Sequence, residues 1–322
     1  MSAPAAHPHW HGYALATGGA VAFSAKAIVA KLLYRHGIDA LDAVALRMLL
    51  SCPFFLAMAW WGGRGKPALT AADWRRVALL GLSGYYVASM LDFYGLQFIT
   101  ASLERLILFV YPTIVVLIVA LRQRRPVAGR QALALAVSYG GVLLAFGQEA
   151  AASMAAGGAT TIAWGALLVL GSALSYAIYL ILSGETVARF GALRLTGLAS
   201  LVASALCLGQ YFLLRPANTW LAFAPAVWEF SLVNALACTV VPLWMVMRAM
   251  ELIGSAHTAQ MGMVGPISTL LLSVWLLQEP FTAPLALGTL LVLAGTALLL
   301  RRGPASIKES SPTRESTPVT PS

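Results

Sequence analysis

Long apolar runs separated by short polar breaks organise the chain. Spans fall near 12–34, 42–62, 77–98, 102–121, 131–147, 162–184, 195–214, 227–248, 256–278 and 283–300. The run Leu285–Leu300 carries no charge, and Val77–Phe98 carries only Asp92. A helix crossing the hydrocarbon core needs about 17–25 mostly apolar residues. A membrane strand would instead alternate over roughly 10 residues. Inside lipid only helices and closed barrels satisfy their backbone groups, so the pattern predicts ten transmembrane helices. Breaks are sharp at Gly62-Gly63 and Arg124-Arg125-Pro126. Residues 1–11 read as an N-terminal tail and 12–147 as a first five-helix unit. The Ala- and Gly-rich stretch 148–161 reads as a linker, 162–301 as a second unit, and 302–322 as a disordered tail rich in Ser, Pro and Thr.

Composition agrees. The chain is 59% hydrophobic and 10% charged, against about 25% charged in soluble domains. Its start has no basic region or small-residue cleavage site, so the first run is expected to stay as a helix. Cys52, Cys207 and Cys238 all lie in apolar runs without pairing or metal spacing, and read as packing residues. The net charge of +9 does not point to nucleic acid once its placement is considered. With the N-terminus inside, only Arg35 and Arg215 of the 21 Lys and Arg lie in outer loops. Lys26, Lys31, Arg47 and Arg105 lie within spans, and the others lie inside. The positive-inside rule then places both termini in the cytoplasm of a cell whose inner membrane holds the protein, with basic loops facing anionic headgroups.

The two units repeat. A shift of 154 lays Pro112 on Pro266, Pro126 on Pro280, Gly141 on Gly295 and Ala101-Ser102 on Ser255-Ala256. A shift of 153 lays Gly12 on Gly165 and Gly18 on Gly171. Five helices per unit is an odd number, so the second unit enters from the opposite side. That is an inverted repeat, an architecture frequent in secondary transporters. The predicted fold is all-α: ten membrane helices as two inverted five-helix repeats around a central cavity.

The residues also resemble a known family, the EamA type of the drug/metabolite transporter superfamily. The likeness rests on Ala45-Leu46-Arg47-Met48-Leu49, on Ala101-Ser102-Leu103-Glu104-Arg105 through Tyr111-Pro112, on Gly265-Pro266, and on Leu277-Gln278-Glu279-Pro280. Where the family often has Gly-Glu, Glu279 fits but the partner position is Arg125. The resemblance implies a carrier of small metabolites, often an exporter of amino acids or related compounds, with a cavity between the halves.

Charged groups inside spans cost about 2.5–3.5 kcal/mol each on insertion scales, so they mark function or pairing. Lys26 lies nearest the midplane and is the first candidate for a substrate carboxylate. Arg47 and Arg105 either pair with Asp92 and Glu104 or line a positive cavity. Asp92 and Glu104 are also candidates for carrying a coupling proton. Polar stripes at helical spacing add Tyr85, Tyr111, Tyr176, Tyr179 and Asn234, as cavity lining or as interhelical glue. Gln260 is a further cavity candidate. Pro112 and Pro266 occupy equivalent places and either hinge or shape their helices. Trp10, Trp60, Trp61, Trp74, Trp220 and Trp228 fall near interfaces and read as headgroup-level anchors.

No zinc-protease, nucleophile-elbow, nucleotide-loop or selectivity-filter pattern is present. A membrane enzyme or channel is therefore disfavoured. The expected function is a secondary transporter, with export ahead of import, of a small carboxylate-bearing metabolite such as an amino acid. The alternative is an importer of phosphorylated or nucleotide-linked compounds. No cofactor or metal is implied. The expected partners are a small-molecule substrate, the bilayer and protons as coupling ion.

Overall fold

The computed structural model describes residues 10–124, 126–154, 158–216 and 218–300. They form ten helices long and apolar enough to span a bilayer: α1 (Trp10–Arg35), α2 (Ala40–Gly63), α3 (Ala71–Leu96), α4 (Ala101–Gln123), α5 (Gly129–Ser153), α6 (Ala159–Gly184), α7 (Ala192–Leu214), α8 (Pro225–Gly254), α9 (His257–Leu277) and α10 (Ala283–Leu300). Among the described residues there is no strand. Two helices run further than the apolar pattern suggests. That of α5 continues to Met154 and that of α6 to Phe190. Gln148 and Glu149, read above as the start of a linker, therefore lie in helix. Both tails, Arg125 and the middle of the linker lie outside the described residues.

Local chemistry starts these helices. The Asp39 carboxylate accepts from Asp42 N at 3.0 Å while Asp42 accepts from Asp39 N at 3.3 Å, a reciprocal cap on α2. Thr70 and Asp73 do the same for α3. Caps become tertiary ties. Arg215, after α7, pairs with Asp39, and Arg189, at the end of the α6 helix, lies 2.9 Å from Asp73.

The repeat is legible in backbone detail. Gly37 and Gly191, 154 residues apart, turn the chain after the first helix of each unit at φ of +82° and +76°. Only glycine takes that region without a Cβ penalty. Arg124 and Gln278, also 154 apart, both end their helices left-handed, at φ of 52° and 59°. Matching π-helical stretches, Gly81–Val87 and Leu236–Val240, interrupt α3 and α8. Both prolines expected to kink follow a real break: α4 is interrupted at Phe109–Val110 and α9 at Met263. Pro112 and Pro266 lack the N–H and crowd the carbonyl one turn back, which explains the position of each break.

Packing obeys the same pseudo-symmetry. α1 packs on α8 as α6 packs on α3, and α2 pairs with α7, α5 with α10. Gly12 abuts Leu252 and Ile253, and its counterpart Gly165 abuts Phe98 and Ile99. At the α5–α10 crossing a Cβ on Gly141 would lie 2.6 Å from the Gly288 carbonyl oxygen, and one on Gly288 2.6 Å from that of Gly141. Small residues let membrane helices approach this closely. Gly141→Ala is expected to cost about 1–3 kcal/mol, as overpacking against backbone does. Gly140→Ala, with nothing within 4 Å of the added Cβ, serves as control. Thermal unfolding in detergent reads both, and equal midpoints would refute the close crossing.

Candidate functional site

The charged groups from separate spans converge. α1 begins on the face that carries the N-terminus, so α2, α4, α6, α8 and α10 start from the opposite, distal face. Lys26, Arg47, Asp92, Glu104 and Asn234 all fall in the distal part of their helices.

Lys26 Nζ lies 2.6 Å from Asp92 Oδ2, an ion pair linking α1 to α3. Asp92 on α3 is buried, and its second oxygen, Oδ1, has no hydrogen-bond partner among the described residues. Glu104 is fully buried and neither of its oxygens has a hydrogen-bond donor among the described residues. Arg105 is spent on cross-bundle bonds: Nε donates to Thr269 Oγ1 at 3.1 Å and Nη2 to the Phe23 carbonyl at 3.0 Å. Its Nε lies 4.0 Å from Glu104 Oε2.

Arg47 departs from expectation. It is 4% exposed, and no carboxylate pairs with it among the described residues. Its guanidinium carbon sits 4.7 Å from the Phe93 ring centroid, and Nε and Nη2 have no acceptor among the described residues. The cause is helical geometry. Consecutive residues on α3 point about 100° apart; Asp92 turns to Lys26 and Phe93 presents its ring to Arg47. The cation–π contact supplies part of the lost hydration but no hydrogen-bond acceptor. On α8, Asn234 is fully buried with Oδ1 and Nδ2 both unpartnered among the described residues, as is Ser231 Oγ. Ser51, one turn beyond Arg47, donates to the Ala235 carbonyl at 3.4 Å, which holds this part of α8 against α2.

The four tyrosines also meet. Tyr85 and Tyr179 hydroxyls are 3.3 Å apart. Tyr176 lies edge-on to Tyr111 at 5.1 Å and stacks on Tyr179 at 5.7 Å between ring centroids. Tyr85 precedes Asp92 by seven residues, and Tyr111 follows Glu104 by seven in the opposite direction of travel. The tyrosine layer therefore sits about 10 Å from the carboxylates, toward the face of the termini. Tyr179 is also the repeat partner of Lys26 at a shift of 153. The inverted repeat thus sets a charged layer against an aromatic one. Gln260 is exposed and has no side-chain hydrogen bond among the described residues, so it is not drawn into this cluster. Trp220 and Trp228 are half-buried, and Trp220 stacks on Tyr211 at 4.9 Å; Trp10, Trp60, Trp61 and Trp74 are exposed.

Sequence reading passed over the distal tie. Glu149 accepts from Thr100 N at 2.8 Å and Thr100 Oγ1 at 2.6 Å. Glu279 accepts from Ala101 N at 2.8 Å, Ser102 N at 3.3 Å and Ser102 Oγ at 2.9 Å. Two carboxylates from different repeats therefore cap the start of α4. The Ser/Thr cap at Thr100 was a visible signal; its acidic partners are distant in sequence.

Paired inverted repeats, broken helices and buried polar groups between them define a membrane transporter of the drug/metabolite class. The comparisons agree: the EamA-like transporter family matches residues 10–147 and 163–301, and the chain belongs to that family. An uncharacterized transporter of Bacillus subtilis (strain 168), YcbK, is 30% identical over 267 residues, covering 81% of this chain and 83% of that protein. A protein of known crystal structure, 16% identical, shares the fold with a TM-score of 0.61, over 89% of this chain and 95% of its own. The chain is a multi-pass membrane protein of transporter type.

Proposed function

We propose that this transporter is a secondary carrier of a small carboxylate-bearing metabolite, working by alternating access between the repeats. Export is the favoured direction, with both termini cytoplasmic in the inner membrane and protons as coupling ion. The carrying observation is a buried cation, Arg47, that no carboxylate pairs with among the described residues. Arg47 has two unpartnered guanidinium nitrogens, close to where Asn234 offers an unpartnered amide. An unpaired buried charge is costly, and a planar guanidinium edge matches a carboxylate. Lys26, the candidate from sequence, is engaged by Asp92, which moves the anion contact to Arg47. The tyrosine layer supports a pocket reaching toward the face of the termini, and the breaks before Pro112 and Pro266 support paired flexing of α4 and α9.

Proteoliposome flux tests this reading with a panel of amino acids, organic acids and sugar phosphates. Saturable flux of carboxylates is expected. Arg47→Gln should raise KM about ten- to a hundredfold, the worth of a hydrogen bond to a charged group. Flux confined to sugar phosphates, or a KM unmoved in Arg47→Gln, would refute the assignment.

A further inference from the structure

We propose that the start of α3 binds one anionic phospholipid, with its phosphate on Arg75 and Arg76 and one acyl chain in the groove on each side of Leu79. The site lies on the lipid-facing side of the bundle and holds whichever compound the protein carries.

Two grooves flank α3. One, of about 470 Å³, lies against α7 and is lined by Arg75, Ala78, Leu79 and Leu82 with Val202 and Leu206. The other, of about 180 Å³, lies against the α6 helix and is lined by Arg76, Leu79 and Leu80 with Leu182 and Thr186. Leu79 is the ridge they share, and it is 58% exposed. Leu82, Leu182 and Leu206 are exposed as well, so both grooves open to the acyl layer. Gly81, buried beside Leu82, lets α3 close on α7 behind the larger groove. A Cβ there would lie 2.6 Å from the Ala199 carbonyl oxygen.

Each groove is headed by a cation, and the two stand at one level. Arg75 and Arg76 precede Leu79 by four and three residues, so both sit over it on the helix surface. α3 starts on the face of the termini, and helical side chains lean toward the N-terminal end. Both guanidinium groups therefore reach out to headgroup depth, where the exposed Trp74 also lies.

Other cations around the start of α3 are spent. Arg189 lies 2.9 Å from Asp73, Arg194 Nη1 donates to the Pro67 carbonyl at 3.0 Å, and Lys66 donates to the Phe190 carbonyl. Asp73, the carboxylate nearest in sequence, is taken by Arg189 and by the Thr70 hydroxyl at 2.7 Å. Arg75 and Arg76 are exposed and form no ion pair among the described residues. Two unspent cations over two apolar grooves match a phosphodiester over two acyl chains. Guanidinium groups hold phosphate oxygens by charge-assisted hydrogen bonds. A zwitterionic lipid brings its own cation to compete for the phosphate, so the arginine pair selects a lipid of net negative charge. Bound there, the lipid bridges α6, α3 and α7 beside the π-helical stretch Gly81–Val87 and stabilises the folded protein by mass action.

The test is native mass spectrometry of the full-length protein, delipidated in detergent and titrated with phosphatidylglycerol and phosphatidylcholine of the same chains. One phosphatidylglycerol should bind about thirtyfold more tightly than phosphatidylcholine, since each arginine near an anionic headgroup contributes about fivefold. Arg75→Gln with Arg76→Gln should abolish that preference. Arg122→Gln with Arg130→Gln, at exposed positions on the same face, should leave it intact. Ala78→Phe fills the larger groove, keeps both arginines, and should weaken phosphatidylglycerol at least tenfold. Excess sn-glycerol 3-phosphate, a headgroup without chains, should not displace the lipid. Equal binding of the two lipids, or a preference that survives loss of Arg75 and Arg76, would overturn the site. A preference lost equally with Arg122 and Arg130 would reduce it to diffuse surface charge. Displacement by glycerol phosphate would show that the grooves hold no chains, and a dimer split by Ala78→Phe would make this face an interface between copies. If a variant fails to fold, the wild-type comparison of the two lipids and the glycerol phosphate competition decide alone.

Discussion

Replacing Asp92 by Asn and Glu104 by Gln together is expected to destabilise the protein by about 3–5 kcal/mol, the cost of leaving a buried charge unpaired. Asp92→Asn alone should cost clearly less. Lys26 is bonded to Asp92 at 2.6 Å, but Glu104 lies within electrostatic reach of the same ammonium. Once Asp92 is neutral, Glu104 remains as the other buried carboxyl beside the ammonium. The double variant strips Lys26, whose side chain is 17% exposed, of both of these carboxylates. Adding Lys26→Met removes the orphaned charge and should return most of the loss, since apolar replacement of a buried pair is often neutral. Chemical unfolding in detergent measures the set. If the two single losses simply add up to the double, the carboxyls do not share Lys26 and the network is wrong.

Glu279→Ala is expected to cost about 2–3 kcal/mol. Its carboxylate accepts three hydrogen bonds from Ala101 and Ser102, and both residues are buried. Hydrogen bonds to charged groups contribute about 1.5–3 kcal/mol, and a stranded buried donor loses hydration that nothing replaces. A carboxylate at a helix start also meets the positive end of the helix dipole. Glu279→Gln, which keeps one acceptor oxygen, should lose about half as much. The tie joins the start of α4 to the hairpin between α9 and α10, and Arg35 adds a bond from α1 to the Leu277 carbonyl at 2.7 Å. The distal ends should therefore loosen in Glu279→Ala. Labelling of Thr100→Cys by a membrane-impermeant thiol reagent, in a background without Cys52, Cys207 and Cys238, should accelerate severalfold. Unchanged labelling and stability together would show that the tie carries no strength.

Apolar patterning was enough to find all ten helices, because a span must be continuously apolar and nothing else in a chain looks like it. Helix ends were less legible. Glu149 is charged, so hydropathy places it outside the membrane, yet the helix runs on past it and its carboxylate accepts from Thr100 N and Oγ1. The matched prolines and glycines marked the repeat, and the structure adds Gly37 with Gly191 and Arg124 with Gln278 as equivalent left-handed positions. Arg124 and Gln278 differ in chemistry, so self-comparison of residues passes over them.

The candidate site was half legible. Lys26, Arg47, Asp92, Glu104 and Arg105 stand out in any hydropathy reading because each is expensive in lipid. Their pairing did not follow from that. The pairing expected of Arg47 went to Lys26, since Asp92 and Phe93 point to different neighbours on one helix.

The sequence by itself determined the membrane class, the count of spans, the repeat and the list of costly polar residues. Those properties follow from hydrophobic transfer and from spacing along one chain. Only the tertiary structure decided which charge meets which, that Arg105 is spent on Thr269 and the Phe23 carbonyl, and that Glu104, Arg47 and Asn234 keep unspent hydrogen-bonding groups. Those depend on how helices distant in sequence rotate against one another, and a rotation of one residue, about 100°, exchanges one partner for another.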